Sequence, residues 1–144
     1  MNIHESAEDY LEAILMLKQE KGFARSVDIA TRLAVTKPSV SFAMKKLREN
    51  DYITMDSDNL INLTEKGEAI ASRILERHKI ITAYLCSLGV APEVAREDAC
   101  KMEHDLSEET YAAMKTKVRS LNQTRAESCP AFRAGECVGD CLSE

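Results

Sequence analysis

The stretch SVDIATRLAVTKPSVSFAMKKLR, residues 26–48, decides the fold. It divides into two short helical segments around a tight turn. Ser26 is suited to cap a first helix over residues 27–33, because its hydroxyl can accept from the free amides at a helix start. Residues 34–35 supply the turn. Thr36 is placed to cap a second helix, and Pro38 falls in that helix's first turn, where a missing N–H costs nothing. Val40, Ala43, Met44 and Leu47 then recur at i, i+3, i+4 and i+7, a stripe that belongs against a core. The opposite face carries Pro38, Ser39, Ser41, Phe42, Lys45 and Lys46, with Thr36 and Lys37 at its entrance. Two helices joined by a tight turn, the second one basic, form a helix-turn-helix pattern.

Outward from this core, residues 52–55 and 60–63 are short β-favouring runs around Asp56-Ser57-Asp58-Asn59, a hairpin signal. A hairpin directly after the second helix is a wing. On the N-terminal side, residues 4–20 read as a helix with Ala7, Tyr10, Leu11, Ile14 and Leu17 on one apolar face. Glu5, Asp9, Glu12 and Met16 fall together on the other face, and Gly22 ends the helix. Downstream, Thr64 caps a long helix running to about Cys86. Its second half is apolar nearly all round, which predicts burial on several sides. Gly89 and Pro92 punctuate the chain before a fifth helix over residues 93–105. Ser107 caps a sixth, with Leu106 and Tyr111 placed as a hydrophobic staple. Regular patterning stops beyond Leu121, and the sequence has no internal repeat.

The totals fit a protein of this kind. At 144 residues, with 44% hydrophobic and 30% charged residues, the chain can form a core without disulfides. The net charge of −5 does not advertise a nucleic-acid partner. Distribution matters more: Arg32, Lys37, Lys45, Lys46 and Arg48 lie in a run without Asp or Glu, a basic patch inside an acidic chain. Acidic residues near Met1, with no apolar run after them, do not read as a signal peptide. No run approaches the ~20 apolar residues of a membrane span, and with no secretory signal a reduced cytoplasmic setting is expected. Five cysteines in a reduced compartment point to metal or redox chemistry before structural disulfides.

The exposed face of the second helix suits duplex DNA. Hydroxyl and ammonium groups suit phosphates, which set position more than sequence. Phe42 is the unusual member, an aromatic able to contact a thymine methyl in the major groove. A second constellation lies on the fifth helix. Cys100, Glu103 and His104 stand at i, i+3 and i+4 and so share one face, leaving Ala95, Ala99, Met102 and Leu106 to pack. A thiolate, a carboxylate and an imidazole at this spacing can hold one transition-metal ion. Read singly, His78 in the apolar half of the fourth helix is more commonly a hydrogen-bonded core residue. Asp9 and Glu12, at i and i+3 on the first helix, are usually solvated charges.

Five segments join these items. They are Ser6-Ala7-Glu8-Asp9-Tyr10-Leu11-Glu12, the helix-turn-helix of residues 27–47, Leu63-Thr64-Glu65-Lys66-Gly67, Arg77-His78, and Cys100-x-x-Glu103-His104-x-Leu106-Ser107. In order and spacing they closely resemble the diphtheria-toxin-repressor family, which includes iron-dependent repressors and manganese transport regulators. The match runs from about residue 3 to residue 115. It implies a mainly α fold: a winged helix-turn-helix DNA-binding domain over residues 1–63 and a helical metal-binding and dimerisation domain over 64–121. Residues 122–144 form a Cys-containing tail. It also implies metal ligation by Asp9, Glu12, His78, Cys100, Glu103 and His104. Manganese regulators have Asp at the position of Asp9, as here, but Glu at that of Cys100, where iron-type members have Cys. The thiolate tilts the site towards Fe²⁺, with Mn²⁺ next and Zn²⁺ or Co²⁺ able to bind in vitro. The iron-type ancillary site looks incomplete, because Thr82 and Arg96 stand where further ligands belong. The chain stops soon after the dimerisation helices and resembles the short form without an SH3-like domain.

The expected function is a metal-dependent repressor that binds palindromic operator DNA as a homodimer and controls metal homeostasis. Neither an enzymatic role nor a small-molecule substrate is expected. Asp9 and Glu12 belong with the reading unit and the other four ligands with the helical half, so metal is expected to restrain the reading helices for DNA. A metal-independent winged-helix regulator and a metal-buffering protein are the competing readings. A zinc hydrolase using Glu12 as a base lacks any substrate-site signature. In the tail, Cys129, Cys137 and Cys141 offer a possible extra thiol site, although their spacing matches no defined zinc motif.

Overall fold

The computed structural model describes residues 3–128. Six helices and a two-stranded hairpin follow in the order α1 (Ile3–Lys21), α2 (Ser26–Leu33), α3 (Lys37–Glu49), β1 (Ile53–Met55), β2 (Ile61–Leu63), α4 (Glu65–Ser87), α5 (Pro92–Met102) and α6 (Glu108–Ser128). This is the mainly α architecture the sequence predicts. The chain forms two compact units, Met1–Leu75 and Glu76–Glu144, so the division falls inside α4. Among the described residues no helix is long and apolar enough to cross a membrane. Cys129, Cys137 and Cys141 lie outside the described residues.

In the first unit Leu11, Ile14 and Leu17 of α1 bury against Ile29 of α2, Val40, Met44 and Leu47 of α3, Ile53 and Ile61 of the hairpin, and Ala71 and Leu75 of α4. The α3 stripe therefore faces the core as its spacing requires. Thr36 caps α3, accepting from the Ser39 amide at 3.3 Å. Ala34 turns the chain between the helices in the left-handed region at φ 53°. The cap of α2 differs from the expectation. Arg25 holds the extended cap position with no side-chain hydrogen bond, and Ser26 is already the first helical residue. The Arg25 carbonyl begins the ladder by accepting from the Asp28 and Ile29 amides, so the start is set by the backbone.

The wing is an antiparallel pair with Ile53 opposite Leu63, Thr54 opposite Asn62 and Met55 opposite Ile61. At its tip, Asp56 Oδ1 accepts from the amides of Asp58 and Leu60 at 2.9 and 3.0 Å, and Asn59 takes φ 59°. Short polar side chains of this kind stabilise such turns. The Ile61 amide donates to the Ala24 carbonyl at 2.9 Å, tying the hairpin to the segment before α2. At its other end Thr64 locks the wing to α4. Its hydroxyl donates to the Asp51 carbonyl and accepts from the Gly67 amide, while its own amide donates to the Tyr52 carbonyl. A Cβ on Gly67 would lie 2.0 Å from that Tyr52 oxygen, so only glycine permits this approach.

In the second unit Ile81 of α4, Ala99 of α5 and Met114 of α6 form a smaller core, with Ile80, Tyr84, Leu85, Met102 and Leu106 partly buried around it. Burial on several sides does not extend along all of this part of α4: residues 82–86 are only half-buried. Ser107 caps α6 as expected, accepting from the Thr110 amide at 3.1 Å. Two ends differ from the sequence reading. Helix α5 stops at Met102, short of residue 105, while α6 continues past Leu121 to Ser128. Leu121 is half-buried and the two residues after it are exposed, so the last turns of α6 carry little apolar signal.

Candidate DNA-reading face and metal centre

Pro38, Ser39, Ser41, Phe42, Lys45 and Lys46 are all exposed on α3, as are Thr36 and Lys37 at its start. Phe42 is 65% exposed, with the Lys46 ammonium 5.7 Å from its ring centroid. Beside it lies an apolar hollow of about 430 Å³, lined by Tyr10, Val35, Phe42, Ala43 and Leu47 among others. Phe42 thus stands at the mouth of an apolar recess on a face that is otherwise hydroxyl and ammonium. The basic patch is smaller than the sequence suggests. Arg32 is engaged by both carboxylate oxygens of Glu20, at 2.9 and 2.6 Å, which removes it from the free positive charge. Lys45 stands 3.9 Å from Glu49, a loose exposed pair that leaves the ammonium accessible.

The metal-binding candidates are distributed over both units. In the first, Asp9 is half-buried and Glu12 is buried, so the α1 face that carries them is not a plain solvated surface. In the second, α4 supplies His78, α5 supplies Cys100, and the turn after α5 supplies Glu103 and His104. Glu103 follows the last helical residue but keeps helical dihedrals, φ −60° and ψ −27°, and its amide still donates to the Ala99 carbonyl. The i, i+3 relation to Cys100 therefore survives although the helix ends early. One ligand atom each from His78, Cys100 and Glu103 falls within 4.8 Å of the others.

Glu103 is completely buried. His78 Nδ1 lies 3.0 Å from its Oε2, and the Cys100 sulfur 3.6 Å from the same nitrogen. His104 Nε2 stands 3.5 Å from Glu103 Oε1, and among the described residues that oxygen has no hydrogen-bond partner. A buried carboxylate oxygen without a donor is costly, and a cation is a natural complement. The hydrogen bond to the Cys100 sulfur and then the one to Glu103 push His78 up from 6.5 to about 10, against the desolvation that opposes its charge. Both hydrogen bonds favour the protonated form of His78 over the neutral imidazole. Thiolate, imidazole and carboxylate are the donor types that bind a divalent transition metal, so the residues fit such an ion.

Sequence reasoning missed Arg77, one residue before His78. Its side chain is 7% exposed, and one guanidinium nitrogen donates to the Glu103 carbonyl at 2.9 Å and to the Leu106 carbonyl at 3.1 Å. Only the Arg77-His78 pair in the family resemblance hinted at it.

A winged helix-turn-helix with an exposed basic reading helix, followed by a helical unit with a Cys-His-Glu cluster, defines a DNA-binding regulator with a metal-binding unit. Residues 2–59 match the N-terminal DNA-binding domain of the iron-dependent repressors, and residues 64–129 match their metal-binding and dimerisation domain. The chain belongs to this family of metal-dependent transcriptional repressors. It is 44% identical to the transcriptional regulator MntR of Escherichia coli over 111 residues, which cover 77% of this chain and 72% of that one. It is 40% identical to the HTH-type transcriptional regulator MntR of Bacillus subtilis over 102 residues, 71% of this chain and 72% of that one. Among solved structures, T. acidophilum IdeR is 29% identical with a TM-score of 0.71, over 76% of this chain and 52% of that one. The manganese regulator SloR is also 29% identical, with a TM-score of 0.68 over 78% and 53%. The chain spans about half the length of these two solved chains.

Proposed function

We propose that the chain is a divalent-metal-activated repressor that binds a palindromic operator as a homodimer in the cytoplasm and controls metal-uptake or homeostasis genes. The observation that carries this reading is the buried Glu103 carboxylate beside the Cys100 sulfur, with one oxygen on His78 and the other, 3.5 Å from His104 Nε2, without a hydrogen-bond partner among the described residues. His78, Cys100 and Glu103 hold the ion, with His104 from the same turn. Asp9 and Glu12 complete the set on the strength of the family resemblance. A bound ion would accept lone pairs from His78, Cys100 and Glu103, and the His78 proton would be released to solvent. Thr36, Lys37, Ser39, Ser41, Lys45 and Lys46 contact phosphate, while Pro38 and Phe42 meet base edges. In a homodimer, two-fold partners present their reading helices about 34 Å apart, or a multiple of that, to meet palindromic half-sites.

The Cys100 thiolate favours Fe²⁺ over Mn²⁺. The names of the relatives, MntR and a manganese regulator, favour Mn²⁺ instead. Comparing the two ions under anaerobic conditions decides between them. Glu103→Ala tests the reading as a whole: metal-stimulated operator binding is lost and the dimer stays intact. Unchanged stimulation in that variant would leave a metal-independent winged-helix regulator.

A further inference from the structure

We propose that Arg77 is a positioning residue of the metal centre, holding the main chain of Glu103 while His78 holds its side chain. This rests on the metal-binding reading above. The end of α5 poses a specific problem. The last carbonyls of a helix have no partner inside it, and a buried one left unpaired is costly. Here one Arg77 nitrogen takes the Glu103 carbonyl at 2.9 Å and the Leu106 carbonyl at 3.1 Å, closing the turn that follows the helix. The other terminal nitrogen meets the Glu108 carboxylate at 2.5 Å, and the guanidinium carbon lies 4.9 Å from the centre of the Tyr111 ring. Cationic donors suit the negative end of a helix dipole, and a planar guanidinium can serve several acceptors in fixed directions.

Adjacency on α4 gives this its meaning. Arg77 and His78 are consecutive, and both reach Glu103, one at its carbonyl and the other at Oε2. A carboxylate fixed at only one end could swing away from the Cys100 sulfur. Fixed at both ends, it keeps Oε1 where a cation can be met. Arg77 thereby acts through Glu103 and does not itself touch the ion.

The test is a metal titration of the reduced full chain against a competing chelator, using Mn²⁺ and Co²⁺. The wild type is compared with Arg77→Met, Arg77→Lys and Glu108→Gln. Arg77→Met is expected to weaken metal binding about 10–100-fold, the usual effect of losing a partner behind a ligand. Arg77→Lys recovers part of that loss, because an ammonium still donates near the carbonyls. The Co²⁺ absorption spectrum of both variants moves towards that of Glu103→Gln, a signature that loss of packing alone does not produce. Glu108→Gln leaves affinity and spectrum unchanged, since Glu108 is 78% exposed and its ion pair is not the positioning contact. A folded Arg77→Lys or Arg77→Met with wild-type affinity and spectrum would overturn the proposal. Should Arg77→Met fail to fold, Arg77→Lys decides. A wild type that takes up neither metal would overturn the metal reading itself and this proposal with it.

Discussion

His78 Nδ1 lies 3.0 Å from Glu103 Oε2 across 25 residues of sequence, and the Cys100 sulfur lies 3.6 Å from the same nitrogen, so three of the proposed ligands meet at one point. The Cys100 hydrogen bond and then the Glu103 hydrogen bond raise His78 to about 10. Its contribution to metal-free stability is therefore complete below 6.5 and is lost as pH rises through about 10. An imidazolium cannot ligate, so metal binding at neutral pH displaces that proton. Metal affinity rises with pH, about tenfold per unit for each proton displaced. Calorimetric titration at neutral pH in two buffers of different ionisation enthalpy measures the release. Equal heats in both buffers would contradict it.

Phe42 predicts where sequence is read. Replacing thymine by deoxyuridine removes only the 5-methyl group, which is what an exposed aromatic beside an apolar recess can sense. At one thymine per half-site the substitution should weaken binding by about 0.8 kcal/mol, the value of burying one methyl-sized group. Phe42→Ala should bind thymine and uracil duplexes alike. A wild type indifferent to uracil at every position would exclude this readout.

Gly67→Ala should destabilise the first unit. The new Cβ meets the Tyr52 carbonyl at 2.0 Å, so the wing or the start of α4 must move. Overpacking of this kind costs about 1–3 kcal/mol, and a rigid backbone neighbour places it at the upper end. Thermal unfolding should show a midpoint lower by several degrees. An unchanged midpoint would mean that the junction is looser than its hydrogen bonds indicate.

What the sequence disclosed and what it withheld follow from the range of the interactions. The α3 stripe, the Thr36 and Thr64 caps and the hairpin are set within a few residues, and local spacing found them. The pairing of Arg32 with Glu20 crosses from α2 to α1, so counting charges along the chain overstated the basic patch. Ser26 has the right chemistry for a cap, but the cap position fell one residue earlier, at Arg25. The Cys100 and Glu103 spacing was legible because helical geometry persists one residue beyond α5. The role of Arg77 was not, because its partners are main-chain carbonyls 26 and 29 residues away, which no side-chain pattern reveals. Taken alone Glu12 reads as a surface charge, whereas the fold buries it, and only the family resemblance singled it out.

The most direct test of the central claim is the affinity of the reduced protein for a duplex selected from a random library, measured anaerobically with chelator and then with saturating Fe²⁺ or Mn²⁺. The account predicts that metal tightens binding by about 5–150-fold, the usual range of such couplings, and that Glu103→Ala removes the gain. Identical affinity with and without metal would contradict it.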